Sequence, residues 1–262
     1  MRSRISLNLA TIRSADLEAK LHAAATAGFR AVGLLWDEMV AQGEAGLEEV
    51  RLSGLAVSEI ASISGWTDPD RTTRSVAMAR AEQACELAAG VGCDLIIAHP
   101  PVGEVEPFAA ANDFREVCRL AEPLRVKVGL EFVGSYRQIN TVAAAWEIVD
   151  LADAGNGGLV IDTFHFFRGG STLEMLESVP GGKVYLVQAS DCMELPRHEM
   201  ENRHRVYPGT GVFPLEPLLG TLREKAYSGY YSLELHNEEY WKESPLVVAR
   251  EGLRAMRRLD LK

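Results

Sequence analysis

The sequence predicts a single (β/α)8 barrel, the architecture also called a TIM barrel, from three observations. Short apolar runs alternate with segments of helical periodicity eight times along the chain. The chain has 262 residues, and a barrel of this kind usually needs about 250. No linker or change of composition divides the chain, so we expect one domain over residues 1–262.

An open doubly wound sheet is the structural alternative, because it also alternates strands and helices. Such sheets normally carry a glycine-rich phosphate turn after the first strand. Residues 10–14 read Ala-Thr-Ile-Arg-Ser and lack that turn, which favours the barrel.

Glycines and prolines separate the first four predicted strand and helix units. The predicted strands are short apolar runs at residues 5–9, 31–36, 57–63 and 94–99. The helices that follow them are predicted at residues 17–27, 47–52, 71–89 and 107–120. Gly28 and Gly90 end the first and third helices, and Pro100 with Pro101 ends the fourth strand.

The last four units follow the same pattern, but their strands carry polar side chains toward their ends. These strands are predicted at residues 126–132, 158–164, 184–188 and 230–235. Their helices are predicted at residues 141–152, 172–178, 215–225 and 245–259. A long polar loop at 191–211 separates the seventh strand from its helix.

The composition of the chain limits the kinds of molecule that we expect it to bind. The chain has 27 basic and 37 acidic residues, a net charge of −10 and no basic block, which weighs against nucleic acid or an anionic membrane as the main partner. Four cysteines without a CxxC pair predict reduced, buried thiols. No apolar run approaches the ~20 residues that span a bilayer, and no signal segment is evident, so we expect a cytoplasmic protein.

Candidate metal ligands lie at the ends of the last four strands, where the active site of a (β/α)8 barrel is found. They are Glu131, Asp162, Gln188 and Glu234. A buried ion pair would explain any one of them. Three carboxylates that converge without a cation would repel one another, whereas a divalent ion removes that penalty. Oxygen ligands without a thiolate favour Mn²⁺, Mg²⁺ or Co²⁺, and Zn²⁺ is compatible with a carboxylate-rich catalytic site.

Five further residues are predicted to contact a substrate. His165 follows Asp162 by three residues and faces the same mouth, with a supporting hydrogen bond to the site as its alternative role. Arg205 lies in the polar loop and suits bidentate binding of a carboxylate or oxyanion. His99 ends the fourth strand, where it could either line the pocket or belong to the core. Trp36 and Trp66 are candidates for aromatic walls of the pocket, although packing in the core would also explain them.

These residues make the chain similar to the xylose isomerase-like TIM barrels, a family of ketose epimerases, hydroxypyruvate and inosose isomerases, and related dehydratases. The similarity covers nearly the whole chain and is most specific at residues 130–132, 161–165, 188–191, 205–211, 232–235 and 239–241. It implies that Glu131, Asp162, Gln188 and Glu234 hold the metal, and that His165 and Arg205 contact substrate oxygens.

Two departures from the family pattern bear on the activity. Many epimerases have a histidine in place of Gln188, and a glutamine there is more like the hydroxypyruvate isomerase and dehydroshikimate dehydratase branches. Many members also end the second strand with a glutamate, which residues 32–36 lack.

The expected activity is metal-assisted proton transfer next to a carbonyl in a small keto-sugar, polyol or hydroxy-keto acid, through an enediolate. Glu131 or Glu234 would remove and return the proton. The alternatives are a dehydratase of dehydroshikimate type and a degenerate barrel that serves as a binding module. The sequence favours an unphosphorylated small-molecule substrate and is compatible with a homo-oligomer.

Overall fold

Eight parallel strands close into a barrel in the computed structural model, which describes residues 4–261. Each strand pairs with its neighbours in the chain, and the first pairs with the last. The barrel strands are β1 (Arg4–Asn8), β2 (Ala31–Leu35), β3 (Ala56–Ile63), β4 (Leu95–Ala98), β5 (Lys127–Glu131), β6 (Gly157–Asp162), β7 (Val184–Ala189) and β8 (Tyr230–Leu233). The predicted (β/α)8 architecture is confirmed.

Helices surround the barrel and cover the outer faces of the strands. They are α1 (Leu17–Ala27), α2 (Trp36–Ser53), α3 (Arg71–Gly90), α4 (Pro107–Ala121), α5 (Val142–Ala152), α6 (Thr163–Gly169), α7 (Leu173–Glu177), α8 (Leu215–Glu224), α9 (Glu238–Trp241) and α10 (Pro245–Arg258). Side-chain caps begin several of them, such as Asp16 on α1, Asp70 on α3 and Thr141 on α5. Gly28 ends α1 in the left-handed region, at φ 101°.

A buried carboxyl group lies inside the barrel. Glu59 of β3 is fully buried, and its Oε1 accepts hydrogen bonds from Asn8 Nδ2 at 3.2 Å and from Ser232 Oγ at 2.7 Å. Gly33 of β2 is the register partner of Glu59. A Cβ atom at Gly33 would lie 2.0 Å from Glu59 Oε1, so the position of the Glu59 carboxyl group requires glycine there.

Three elements differ from the sequence-based boundaries. Helix α2 begins at Trp36 directly after β2, and Gly43, at φ 60°, kinks it in the middle. Strand β6 ends at Asp162 because this side chain caps α6 by accepting from the backbone N–H of His165 at 2.8 Å. The polar loop contains an antiparallel ribbon of two short strands, Asp191–Cys192 and Arg205–Val206.

The four cysteines are all buried and unpaired, as predicted. Across residues 4–261, no helix has both the length and the apolar character needed to cross a membrane.

Candidate active site

A cavity of about 450 Å³ opens at the carboxyl ends of the barrel strands. Its walls come from nearly every strand-to-helix connection, and its lining residues are Arg13, Lys20, Leu35, Asp37, Glu38, Ala61, Ser62, His99, Glu131, His165, Asn202, Arg205, Glu234 and His236. The structure therefore brings five of the nine predicted site residues to one cavity wall. Asp162 and Gln188 lie directly behind that wall.

Glu131 ends β5 and is held by a histidine. The side chain is 3% exposed, and its Oε2 lies 3.2 Å from Nε2 of His99. The other ring nitrogen of His99 lies 3.2 Å from Oγ of Ser62. Burial raises the pKa of Glu131, and the neighbouring His99 opposes that rise in part. Burial disfavours a charge on His99, but the surrounding carboxylates, first of all Glu131, raise the pKa of its ring.

Arg205 lies among the carboxylates of the site. Its Nη1 is 2.6 Å from Oδ2 of Asp162 and 3.5 Å from Oε2 of Glu234, and the whole residue is 1% exposed. Burial alone would raise the pKa of Asp162, but Arg205 outweighs burial and lowers it. Two of the three predicted carboxylates therefore have a cationic partner, because the Arg205 guanidinium, which the sequence predicts at this mouth, reaches Asp162 and Glu234.

The backbone around Arg205 is fixed by the carboxylate of Asp191. Its Oδ1 accepts from the N–H groups of Cys192 and Phe213, both at 2.8 Å, and its Oδ2 accepts from Gly209 at 3.1 Å and Gly211 at 3.0 Å. One buried carboxylate thus ties the ribbon to the turn that follows it.

Further contacts hold Arg205 itself. Asn237 Nδ2 donates to its carbonyl oxygen at 2.9 Å, and its guanidinium carbon lies 4.6 Å from the centroid of the Phe164 ring. Arg205 is therefore held both at its backbone carbonyl and at its guanidinium group.

His165 is buried and uncharged. Burial lowers its pKa to about 3, with Arg205 contributing in the same direction. Its Nε2 lies 3.4 Å from Nη2 of Arg205, which can only donate, and 3.8 Å from Oε1 of Glu131. Its Nδ1 has no hydrogen-bond partner among the described residues. A neutral imidazole with available nitrogen is a suitable ligand for a metal or a substrate hydroxyl.

The donor atoms in this region suit a divalent ion. One potential ligand atom from each of Glu131, Asp162 and His165 lies within 4.8 Å of the others. Gln188 donates its Nε2 to Oε1 of Glu234 at 2.9 Å, which leaves Gln188 Oε1 buried without a partner in the described chain. A metal ion approaches oxygen more closely than a water molecule does, so an acceptor that water cannot reach is compatible with an ion.

The predicted ligand set and the observed cluster differ in one respect. Glu131 and Asp162 belong to both, and among the acidic and histidine side chains the third member of the close cluster is His165 rather than Glu234. In the structure, Glu234 instead contacts Gln188 and Arg205. The backbone N–H of His165 donates to Asp162 Oδ1. This capping bond explains why the side chains of Asp162 and His165 lie close together, because it turns the chain back over the end of β6.

Trp36 and Trp66 are not among the residues that line the cavity, and both take the core position that was predicted as the alternative. Trp36 is 7% exposed and joins the core as the first residue of α2. Trp66 is 1% exposed, packs with its ring centroid 5.8 Å from that of Phe114, and donates its Nε1 to the carbonyl of His99 at 2.7 Å. Trp66 therefore supports His99 from behind.

Several lining residues were not singled out from the sequence. They are Arg13, Lys20, Asp37, Glu38, Ser62, Asn202 and His236. His236 directly follows a predicted strand, so its position was a usable signal. Lys20 and Glu38 lie within helices, where the sequence pattern does not distinguish a surface ion pair from one in a cavity wall.

The comparisons with known proteins agree with this architecture. A family model described as xylose isomerase-like TIM barrel matches residues 21–259. The inosose isomerase of Halalkalibacterium halodurans is 34% identical over 164 residues, which are 60% of this chain and 58% of that protein. The 3-dehydroshikimate dehydratase of Pseudomonas aeruginosa is 30% identical over 264 residues, which are 97% of this chain and 42% of that protein.

Solved structures show the same fold. The crystal structure of IOLI protein with a binding zinc atom has a TM-score of 0.91 at 24% identity, over 97% of both chains. D-psicose 3-epimerase from Clostridium cellulolyticum H10 has a TM-score of 0.79 at 17% identity, again over 97% of both chains. The match to the first inosose isomerases spans only 58% and 63% of their lengths.

Proposed function

Because this chain belongs to the xylose isomerase-like TIM barrel family, we propose that it is a divalent-metal-dependent isomerase or epimerase of a small hydroxylated ketone. The observation that carries the proposal is the buried cluster of Glu131, Asp162 and His165, with ligand atoms within 4.8 Å of one another. The similarity to inosose isomerases supports a substrate of keto-sugar or keto-polyol type. The epimerase with the same fold is consistent with that class.

The proposed ligands are Glu131, Asp162, Gln188 and Glu234. The buried, unpartnered oxygen of Gln188 supports this set, because an ion would supply the interaction that oxygen lacks. When bound, a divalent ion supplies Lewis-acid stabilisation of negative charge on a carbonyl oxygen. The oxygen-rich set favours Mn²⁺, Mg²⁺ or Co²⁺, and the zinc atom in the IOLI structure supports zinc as the competing choice.

We propose that Glu131 and Glu234 move the proton. Each carboxylate has one oxygen held by a neighbour: Glu131 Oε2 by His99 at 3.2 Å and Glu234 Oε1 by Gln188 at 2.9 Å. That support fixes the orientation of the second oxygen of each group. Burial raises the pKa of Glu131, which makes its carboxylate a stronger base than an exposed one. Return of the proton to the neighbouring carbon gives an isomer, and return to the opposite face gives an epimer.

Arg205 and His165 are the proposed substrate contacts. The guanidinium of Arg205 can stabilise an oxygen that becomes negative when the carbon loses its proton. His165 is neutral, with its pKa lowered to about 3 by burial, so it can exchange a hydrogen bond with a hydroxyl without adding a charge. His99 orients Glu131 and lines the same wall.

The test follows solvent deuterium into the substrate. We expect that the protein loaded with Mn²⁺ exchanges a carbon-bound proton of inosose in D2O, measured by NMR. Glu131→Gln and Glu234→Gln should each lower the exchange rate by about 10²- to 10⁴-fold, the usual contribution of an acid–base group. Glu44→Gln, on an exposed side chain of α2, should match the wild type.

The metal content of every variant must be measured beside its activity. Elemental analysis separates loss of the ion from loss of the base, because a variant that keeps its metal but not its exchange has lost only proton transfer. Full exchange in both glutamine variants would show that neither glutamate is the base. A wild-type protein with neither bound metal nor exchange would support the binding-module alternative.

A dehydratase is the second candidate, favoured by one observation. The similarity to 3-dehydroshikimate dehydratase extends over 97% of this chain, whereas the similarity to inosose isomerase covers 60%. In such a reaction, proton removal is followed by loss of a β-hydroxyl group instead of reprotonation. A product that absorbs in the near ultraviolet on incubation with 3-dehydroshikimate would identify this activity, since a sugar epimer does not absorb there.

A further inference from the structure

The structure points to a charge-selective wall in the cavity: we propose that the ion pair of Lys20 and Glu38 keeps the wall opposite the carboxylate cluster neutral, so that the site admits an uncharged hydroxylated ring and disfavours one that carries a carboxylate. This inference rests on the proposed function and narrows its substrate class.

The ion pair is built into the cavity wall. Lys20 of α1 is 2% exposed, and its Nζ lies 2.6 Å from Oε1 of Glu38 in α2, whose side chain is 18% exposed. Both residues line the cavity. Lysine is almost never fully buried unless it is paired, so the close contact with Glu38 is what permits a lysine in this wall.

The pair lies across the barrel from Glu131 and Asp162. Helices α1 and α2 follow β1 and β2, whereas Glu131 and Asp162 end β5 and β6, and the strand order places these two pairs on opposite sides. A ligand that fills the cavity between the two walls therefore meets Glu131 at one end and the Lys20–Glu38 pair at the other.

Two of the three lysine and arginine side chains that line the cavity are paired with acids. The three residues are Arg13, Lys20 and Arg205. Arg205 is paired with Asp162, and Lys20 is paired with Glu38. Arg13 is exposed at the rim, where Asp37 is also exposed. The walls from β3 and β4 contribute Ala61, Ser62 and His99, with no lysine or arginine among the described lining residues.

A ligand carboxylate that meets the Lys20–Glu38 wall would therefore lose its hydration without gaining a free cation there, whereas Arg13 stays exposed at the rim. An uncharged hydroxyl has no such cost, since it can exchange hydrogen bonds with either partner of an ion pair. The balance depends on Glu38, since its removal alone would leave the Lys20 ammonium unpaired in the wall.

The test compares the binding of two ring compounds of similar size by titration calorimetry, with Mn²⁺ present. The neutral probe is myo-inositol, and the anionic probe is shikimate. The readout is the ratio of the two dissociation constants, which cancels general damage to the site. One unit of charge about 4 Å away in a hydrated cavity should change that ratio about fivefold, and more if water is excluded.

Three variants form a series of charge. Glu38→Gln leaves Lys20 unpaired and should shift the ratio at least about fivefold toward shikimate, whereas Lys20→Met should shift it by a similar factor toward myo-inositol. The double variant Lys20→Met/Glu38→Leu is neutral and should keep the wild-type ratio. The shift in Glu38→Gln should shrink in high salt, because it is electrostatic. Glu44→Gln, an exposed charge change on the same helix, should have no effect.

The variant series also remains informative if one variant folds poorly, and it separates failure of this inference from failure of the proposed function. If one single variant does not fold, the other single variant and the double variant still test the sign of the effect. A double variant that shifts as far as Glu38→Gln would mean that lost contacts cause the effect, and would overturn the inference. So would a wild-type protein that prefers shikimate. If the ratio is unaffected in all three variants while inosose still exchanges its proton, the charge-selective wall is wrong and the proposed function stands.

Discussion

Glu59 should make the folding stability of the protein depend on pH. Its carboxyl group is fully buried inside the barrel, and burial raises its pKa from the ordinary value near 4.5 to about 7, although Ser232 and Asn8 donate to it and oppose the rise. We therefore expect the substitution Glu59→Gln, which keeps the size of the side chain but cannot ionise, to change how stability varies with pH.

The sign and size follow from linkage between protonation and folding. The folded protein holds the Glu59 proton more tightly than the unfolded chain does. This contribution is therefore complete below pH 4.5 and is lost as the pH rises through about 7. A shift from 4.5 to about 7 corresponds to about 3 kcal/mol of unfolding free energy. The wild type should lose that amount relative to Glu59→Gln between pH 4 and pH 8.

Urea denaturation across this pH range, with a chelator present throughout, measures the difference. Comparison of the two proteins cancels the titration of the other buried groups, and Glu48→Gln on the exposed face of α2 serves as a control that should follow the wild type. Parallel stability curves for the wild type and Glu59→Gln would refute the reasoning. A difference of the opposite sign would mean that Glu59 is ionised inside the fold.

Three further predictions follow from the same geometry. Asp162→Asn leaves the Arg205 guanidinium buried without its 2.6 Å partner and should cost about 3–5 kcal/mol in urea denaturation; an unchanged midpoint would contradict the importance of the pair. Gly33→Ala forces a Cβ against Glu59 and should cost about 1–3 kcal/mol, and this cost should fall in a Glu59→Ala background, where the clash is absent. In the metal-free protein, the ring signals of His165 should not titrate between pH 5 and pH 8 by NMR, because burial lowers its pKa to about 3; a midpoint near 6.5 would show that the ring is hydrated.

Much of the barrel could be predicted because its signals are local. Apolar runs mark the strands, and glycine, proline and capping side chains mark the ends of the helices. In a (β/α)8 barrel the strand ends converge by topology, so Glu131, Asp162 and Glu234 could be assigned to one region before any distance was known. Their individual roles remain predictions that the proposed experiments test.

The features that the sequence does not indicate have a common physical cause, since each depends on contacts between segments distant in sequence. Nothing near Arg205 in the sequence indicates that a ribbon with Asp191–Cys192 carries it 2.6 Å from Asp162. Trp66 follows a strand, as a cavity residue would, but its ring packs against Phe114 and donates a hydrogen bond to the His99 carbonyl. Glu59 lies in an apolar strand, and only its cross-barrel donors explain how the barrel tolerates it.

The four hydrogen bonds to Asp191 have a consequence for how this site can change during evolution. They engage backbone N–H groups alone, so the shape of the turn depends little on which side chains it carries. Gly209 and Gly211 are the exceptions, because Gly209 has a φ of 80° and a Cβ at Gly211 would lie 2.2 Å from the carbonyl oxygen of Cys192. Thr210 and Val212 are exposed beside them. Substitutions at Thr210 and Val212 can therefore accumulate in the loop while Arg205 stays in place.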